Sequence, residues 1–403
     1  MREQLAQVER WWEGGMPVGL ATVVSTFSSA PMPVGSVMAV AGDGRVIGSV
    51  SGGCVESAVY AECRDAIETG RPRTERYGVS DDDAFAAGLT CGGTIDVFVQ
   101  RLDAQRCPGL GELTGLVADD RPAALATVTR GSVGVARGAS ITIGDDGVWG
   151  STGVPALDAV MVDDVRALLH HVDGGVRRRW SSPDRGAGGE WAEVFVRVFR
   201  PRPRLLVFGA TDFAVALTGA GAFLGHDVTL CDARPVFAAE HRFPAADRVI
   251  RRWPHDYLAD QLAAGRIDGR TAICVLTHDE RFDVPLLRLA LRSGRAGYVG
   301  AMGSRRTHDR RMRALRDAGL DDAALSRLRS PIGLDLQAGT PQETAVSIVA
   351  EIIADREGGS GRRLSESAGA IHRRSESQPE GVSTSSPEAR SPHSTPSTVR
   401  ADR

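Results

Sequence analysis

Between residues 1 and 200 the apolar positions fall into short runs separated by glycine-rich turns. Residues 18–27 (VGLATVVSTF), 35–40 and 45–50 have the β-branched and apolar density of strands, and Gly42-Asp43-Gly44 joins the last two. From about Val55 to Glu68 the period lengthens, so that Val55, Ala58, Val59, Ala66 and Ile67 line one face of a helix. After Asp81-Asp82-Asp83, which predicts a solvated loop, Thr94 to Leu102 reads as a strand again.

The same order of patterns then recurs. Leu20-Ala21-Thr22-Val23 matches Leu125-Ala126-Thr127-Val128, Gly42-Asp43-Gly44 matches Asp145-Asp146-Gly147, and Gly48-Ser49 matches Gly150-Ser151. The helix at 55–68 matches Ala156 to His170, and Asp96-Val97-Phe98-Val99 matches Glu193-Val194-Phe195-Val196. Offsets run from 97 (Asp96 to Glu193) to 105 (Leu20 to Leu125), which predicts a duplication with halves of about 11–108 and 109–200 inside an α+β domain of residues 1–200. The copies differ where chemistry could sit. Opposite Ser51-Gly52-Gly53-Cys54 stands Thr152-Gly153-Val154-Pro155, and opposite Cys91-Gly92-Gly93 stands Gly188-Gly189-Glu190. The second copy does without both thiols, which sets a functional role for Cys54 and Cys91 beside the packing one.

Arg200-Pro201-Arg202-Pro203 is a stiff, non-helical joint, because proline fixes φ and constrains the residue before it. The linker is placed at 201–204. Beyond it the pattern changes to near-continuous apolar runs, the mark of parallel strands buried on both faces: Arg204 to Gly209, Asp227 to Leu230, Arg248 to Ile250, Thr271 to Thr277 and Ala296 to Val299. Helical periods lie between them, at about 212–224, 256–264 and 284–292. This predicts a Rossmann-like, doubly wound α/β domain over residues 205–356. Its first turn, Gly209-Ala210-Thr211-Asp212-Phe213-Ala214, keeps one glycine of the Gly-x-Gly-x-x-Gly pattern, and Asp232 stands at the end of the next strand, where a nucleotide ribose is held in such folds. Thr277-His278-Asp279 falls at a strand's carboxyl end, where ligands bind in these sheets. Gly303-Ser304-Arg305-Arg306 opens a further helix, and two arginines in a first turn oppose the helix dipole unless an anion sits there. Thr340-Pro341-Gln342-Glu343 is a capping box with proline at the first helical position. From Glu357 to 403 the composition of Ser, Pro, Gly and Arg predicts a disordered tail.

Composition narrows the chemistry. Every one of the 48 basic residues is arginine, so Schiff-base lysines and a P-loop lysine are excluded, while bidentate binding of phosphate and carboxylate is favoured. A net charge of −3 gives no reason to expect nucleic acid as a partner. No apolar run approaches the ~18 residues of a membrane helix and the start lacks a signal-peptide pattern, so the expected location is cytoplasmic, with no stable membrane insertion. The six cysteines include no Cys-x-x-Cys pair, which indicates neither a disulfide scaffold nor a zinc knuckle. A glycine turn that opens a helix would present Cys54 beside exposed backbone N–H groups, favourable to a thiolate and an anionic neighbour; the other reading is a small buried hydrophobe.

Taken together, Gly48-Ser49-Val50-Ser51-Gly52-Gly53-Cys54-Val55-Glu56, Cys91-Gly92-Gly93, Leu276-Thr277-His278-Asp279, Tyr298 to Arg306 and Ser330-Pro331-Ile332-Gly333-Leu334-Asp335 resemble the motifs of the XdhC/CoxI family, in order, across about residues 11–356. These are accessory proteins of xanthine dehydrogenase and carbon monoxide dehydrogenase. The resemblance implies a chaperone and not a dehydrogenase. It would bind the molybdenum cofactor (molybdopterin), shield it while a separate cysteine desulfurase supplies terminal sulfur, and deliver it to an apo molybdenum hydroxylase. The family's Ser-Gly-Gly-Cys cysteine falls on Cys54. The candidate cofactor-binding residues are Ser51, Gly52, Gly53, Cys54, Cys91, Gly92, Gly209, His278, Gly303, Ser304, Arg305 and Arg306, in a cleft expected between the two domains, and no catalytic or metal-ligating residue is assigned. Many relatives have Gly-Ala-Gly-His where this chain has Gly209-Ala210-Thr211-Asp212, which weakens a ligand role for that turn. Two other functions stay open, an NAD(P)-dependent oxidoreductase using the Rossmann half and a thiol sulfur carrier with a persulfide on Cys54. A homodimer is also left open.

Overall fold

Residues 2–27, 30, 32–78, 93–182 and 189–368 are described by the computed structural model. The first half runs α1 (Arg2–Glu13), β1 (Val18–Phe27), β2 (Val37–Ala41), β3 (Val46–Gly48), α2 (Glu56–Thr69), β4 (Arg73–Tyr77) and β5 (Thr94–Leu102). It then repeats itself as α3 (Leu110–Ala118), β6 (Ala123–Gly131), β7 (Ser140–Gly144), β8 (Val148–Trp149), α4 (Pro155–Leu168), β9 (Gly174–Ser181) and β10 (Trp191–Phe199). The two antiparallel sheets have one topology, β3-β2-β1-β5-β4 and β8-β7-β6-β10-β9, so the duplication extends to strand order.

Strand alternation puts each sheet between two cores. On one face of the first sheet, Val59, Cys63 and Ala66 of α2 pack on Ala21, Val23, Val97 and Val99. On one face of the second, Leu157, Met161 and Val165 of α4 pack on Ala126, Val128, Val194 and Val196. The other faces join, with α1 and α3 sharing one core with Leu20 and Leu125, and Val24 and Phe98 of the first copy meeting Phe195 of the second. The sequence pattern did not single out α1, α3, β4 or β9. The edge strand β4 reads Arg-Thr-Glu-Arg-Tyr, whose charges protect an open edge but hide the strand from a hydrophobicity reading.

The second half comprises β11 (Arg204–Phe208), α5 (Asp212–Phe223), β12 (Asp227–Cys231), β13 (Arg248–Ile250), α6 (Pro254–Ala263), β14 (Ala272–Val275), α7 (Glu280–Ser293), β15 (Tyr298–Ala301), α8 (Arg305–Asp317), α9 (Asp322–Leu325), β16 (Leu328–Arg329) and α10 (Pro341–Glu357). Its six strands form one sheet, β13-β12-β11-β14-β15-β16, and every pairing is parallel. Side chains of α6, α7 and α8 fill one face, and those of α5 and α10 fill the other. This is a doubly wound Rossmann-type sheet whose strand order reverses between β11 and β14, the place where such sheets open a crevice at the carboxyl end. The apolar stretch at 330–335 is explained by packing on α10: Ile332 is buried, Gly333 N–H donates to Glu351 Oε2 at 2.8 Å, and Ser347 Oγ donates to Leu334 O at 2.6 Å.

Helix α10 includes Glu357 and a turn at Leu364–Glu366 follows, so ordered chain continues past the start expected for the tail, whose residues 369–403 lie outside the described residues. The acidic loop at 81–83 also lies outside them. The joint itself is held by Arg202 N–H donating to Asp120 Oδ1 at 2.8 Å, and by Arg270 donating to Pro201 O at 2.8 Å and Asp173 Oδ2 at 3.1 Å. Arg202 precedes β11 and Arg270 precedes β14, so these contacts sit at the amino ends of the parallel strands.

Candidate functional site

The stretch from Ser49 to Glu56 is a loop folded around one carboxylate. Glu56 Oε1 accepts from Ser49 Oγ at 2.5 Å and Ser51 N at 2.9 Å, and Oε2 accepts from Ser51 Oγ at 2.5 Å, Gly53 N at 2.8 Å and Val55 N at 3.2 Å. Partial burial works to raise the Glu56 pKa, but the two serine hydroxyls and the Ser51 amide outweigh it and hold the group at about 2. Gly52 and Gly53 have φ of 76° and 124°, a region closed to most side chains, so the glycine pair is a conformational requirement of this clamp.

This corrects the expectation of exposed amides around Cys54. The N–H groups of Ser51, Gly53 and Val55 already serve the protein's own Glu56, and Gly52 N–H donates to Ser49 Oγ at 2.9 Å. Cys54 sits half-buried on this turn, against the core that contains Val55, Val59 and Val97. Among the described residues Cys54 is the one cysteine that is not buried. Burial pushes the thiols of Cys63, Cys107 and Cys231 up to about 12, and that of Cys274 up as well, which leaves all four inert. Cys91 and Gly92 lie outside the described residues.

The second copy keeps the clamp and lacks the thiol. Asp158 accepts from Ser151 Oγ at 2.5 Å, Thr152 N at 2.9 Å and Thr152 Oγ1 at 2.6 Å, while Gly153 N–H donates to Ser151 Oγ at 2.9 Å. Ser51 thus plays the part of Thr152, and Gly52 that of Gly153. In the second copy Gly153 is followed at once by Val154, the residue that caps α4, whereas Gly53 and Cys54 intervene between Gly52 and Val55, the cap of α2. The helix start shifts but the loop is no longer: Ser49 to Glu56 and Ser151 to Asp158 are both seven residues apart, so Cys54 stands opposite Ala156, in the first turn of α4.

The other candidates gather at the carboxyl edge of the parallel sheet. Gly209 has φ 108°, and a Cβ there would stand 2.5 Å from Thr277 Cγ2, so glycine is required where the turn after β11 passes the turn after β14. Thr211, in place of a second glycine, caps α5 by accepting from Ala214 N at 3.3 Å. His278 is exposed just past β14. Ser304 caps α8, accepting from Thr307 N at 3.2 Å. Exposed Arg305 and Arg306 make no ion pair among the described residues, and the first turn of α8 carries no acid. The strands preceding these turns, β11, β14 and β15, are neighbours. Gly209, His278 and the Gly303–Arg306 turn thus share one edge, and that edge is opposite to the one that joins the halves. The single cleft expected to unite them with Cys54 is not the joint observed.

Two further groups stand at this edge. Asp232, at the ribose-binding position, accepts from Ala210 N at 2.7 Å and from both ends of the Arg234 guanidinium at 3.0 and 2.8 Å, so its oxygens already hold protein groups. Beneath His278 lies a buried pair: Arg311 donates to Asp283 Oδ2 at 2.9 Å, to Met302 O at 2.8 Å and to Ser330 Oγ at 3.2 Å, and Thr277 Oγ1 donates to the other oxygen of Asp283. Burial raises the Asp283 pKa, opposed by Thr277 and Arg311. This network ties the ends of β14, β15 and β16 together. Arg311 was hidden within an arginine-rich run, and its spacing of four from buried Leu315 was the available signal.

Comparison with known proteins gives the following. Residues 205–352 match the XdhC Rossmann domain, and residues 11–78, which include the Cys54 loop, match the XdhC and CoxI family. The molybdenum cofactor insertion chaperone PaoD of Escherichia coli (strain K12) is 28% identical over 337 residues, 84% of this chain and 83% of that protein. A probable xanthine dehydrogenase subunit of Bacillus subtilis (strain 168) is 26% identical over 339 residues, 84% of this chain and 92% of that protein. A crystal structure of a xanthine dehydrogenase from Bacillus halodurans has the same fold, with a TM-score of 0.64 and 23% identity over 90% of this chain and 97% of that one.

Proposed function

We propose that this chain, which belongs to the XdhC and CoxI family, binds the molybdenum cofactor as cargo and passes it to an apo molybdenum hydroxylase of the xanthine dehydrogenase type. The finer part of the proposal is that the cofactor is held while a cysteine desulfurase exchanges its terminal oxo ligand for sulfur. The observation that carries the reading is the clamped loop, which holds a half-buried Cys54 in one copy of the duplication and has no thiol in the other. The names of the two relatives, an insertion chaperone and a probable dehydrogenase subunit, support it across 84% of the chain.

The donor set fits such a cargo. A soft thiol suits a metal dithiolene, and the arginines at the start of α8, without carboxylate partners among the described residues, suit a phosphate at a separate contact on the carboxyl edge of the sheet. In this reading Cys54 touches the metal end, while Ser51, Gly52 and Gly53 hold the loop's shape and do not donate to the ligand. The NAD(P) reading loses ground because Asp232 is engaged by Ala210 and Arg234. Protein purified from a host that makes molybdenum cofactor should release a pterin, read by fluorescence after oxidation, and Cys54→Ala should release far less. Wild-type protein that takes up no pterin even after reconstitution would contradict the proposal.

A further inference from the structure

We propose that the joint between the two halves is a binding site for a phosphate group. A cavity of about 180 Å³ opens there, lined by Arg2, Arg197, Arg200, Arg202 and Arg270, with Asp173 its one acidic lining residue. These arginines come from α1, from β10, from the Pro/Arg linker and from the turn before β14, so they converge through the fold and not through one charged run. Three of them have carboxylate partners: Arg2 with Asp120 at 3.1 Å, Arg202 with Asp247 at 2.8 Å and Arg270 with Asp173 at 3.1 Å. Arg197 and Arg200 have none among the described residues, and Arg197 Nε is buried without a hydrogen-bond partner.

Uncompensated guanidinium groups around a small cavity lack an anion of matching geometry. Burial lowers the Arg197 pKa, and burial together with the charges of Arg200 and Arg2 opposes the pull of Asp173 on Arg270 and lowers its pKa. A phosphate offers several acceptor oxygens to such planar forks and relieves the mutual repulsion. A second cavity of about 790 Å³ shares Arg200, Arg202 and Arg270 with the first and extends past Leu169 and Tyr257 between the second copy and α6. It has room for the organic part of a phosphate ester. The site lies at the amino edge of the parallel sheet, away from Ser304, and does not depend on the cargo reading.

The test is calorimetric titration of the full chain with inorganic phosphate and with ADP at fixed ionic strength. Phosphate should bind the wild type, and Arg200→Gln/Arg270→Gln should weaken it by at least about tenfold. Asp173→Asn should tighten it, because the one acidic lining residue is removed. Tighter binding of ADP would assign the site to a phosphate ester, and equal binding to free phosphate; either upholds the proposal. Arg270→Gln also gives up the bond to Pro201 O, so a circular dichroism melt checks that the double variant folds, and Arg200→Gln alone, with no ion pair to lose among the described residues, should weaken phosphate binding without touching the joint. Binding of neither probe, unchanged affinity in the double variant, or a loss in Arg305→Gln/Arg306→Gln instead would overturn the proposal.

Discussion

The two copies of the duplicated half are the same scaffold put to different use. Both have five strands in one order, both cover one sheet face with the helix that follows the third strand, and both fold the start of that helix around a carboxylate held by a serine. The first copy differs at the helix start: α2 begins at Glu56 itself, whereas α4 begins at Pro155, three residues before Asp158, so Cys54 stands in the turn where the second copy has Ala156 in its helix. The clamp is common to both copies, and the cysteine is carried at this place by the first copy alone. Cys54 is half-buried beside the core under α2, on a loop fixed by several hydrogen bonds, and the second copy builds the corresponding core without a thiol there.

The comparison can be broken by removing each clamp. Glu56→Ala should be the costliest change, about 2 kcal/mol, because it leaves buried Ser51 and the amides of Gly53 and Val55 without their shared acceptor. Thermal or denaturant unfolding would check it, and a loss below about 0.5 kcal/mol would mean that the turn holds its shape without the clamp. The same contribution should depend on pH. Folding lowers the Glu56 pKa from 4.5 to about 2, so its stabilisation is complete above the higher value and is lost as pH falls toward the lower one. The stability gap between wild type and Glu56→Gln should accordingly be full at neutral pH and close across that acid window. A gap that persists unchanged below it would contradict the ionised clamp.

Asp158→Ala should cost less, about 1 kcal/mol, since Asp158 accepts from fewer groups and the Ser151 end of its clamp is exposed. Smallest of all, Cys54→Ala should change stability by less than about 0.5 kcal/mol, because a half-buried side chain gives up little area. A larger loss for Cys54→Ala than for Asp158→Ala would reverse the comparison and return Cys54 to the core.

Much of this was legible in the sequence for identifiable reasons. The parallel sheet was readable because strands buried on both faces, such as Leu205 to Phe208, leave continuous apolar runs. The duplication was readable because β1 and β6 keep the same Leu-Ala-Thr-Val core. Charged edge strands β4 and β9 and the amphipathic α1 carried weaker signals, since their polar faces dilute the average. At the site, the glycine pair and Cys54 stood out, but spacing could not reveal that Glu56 occupies the turn's amides from within, nor that Arg311 and Asp283 pair beneath His278. Those are contacts between a side chain and a backbone path, or between separate helices, and no periodicity encodes them.

The central claim is that Cys54 serves cargo and not the fold, and the pterin content of Cys54→Ala beside that of the wild type, both purified from a host making molybdenum cofactor, tests it most directly. The variant should melt as the wild type does and carry only a small fraction of its pterin. A variant with wild-type pterin content would contradict it.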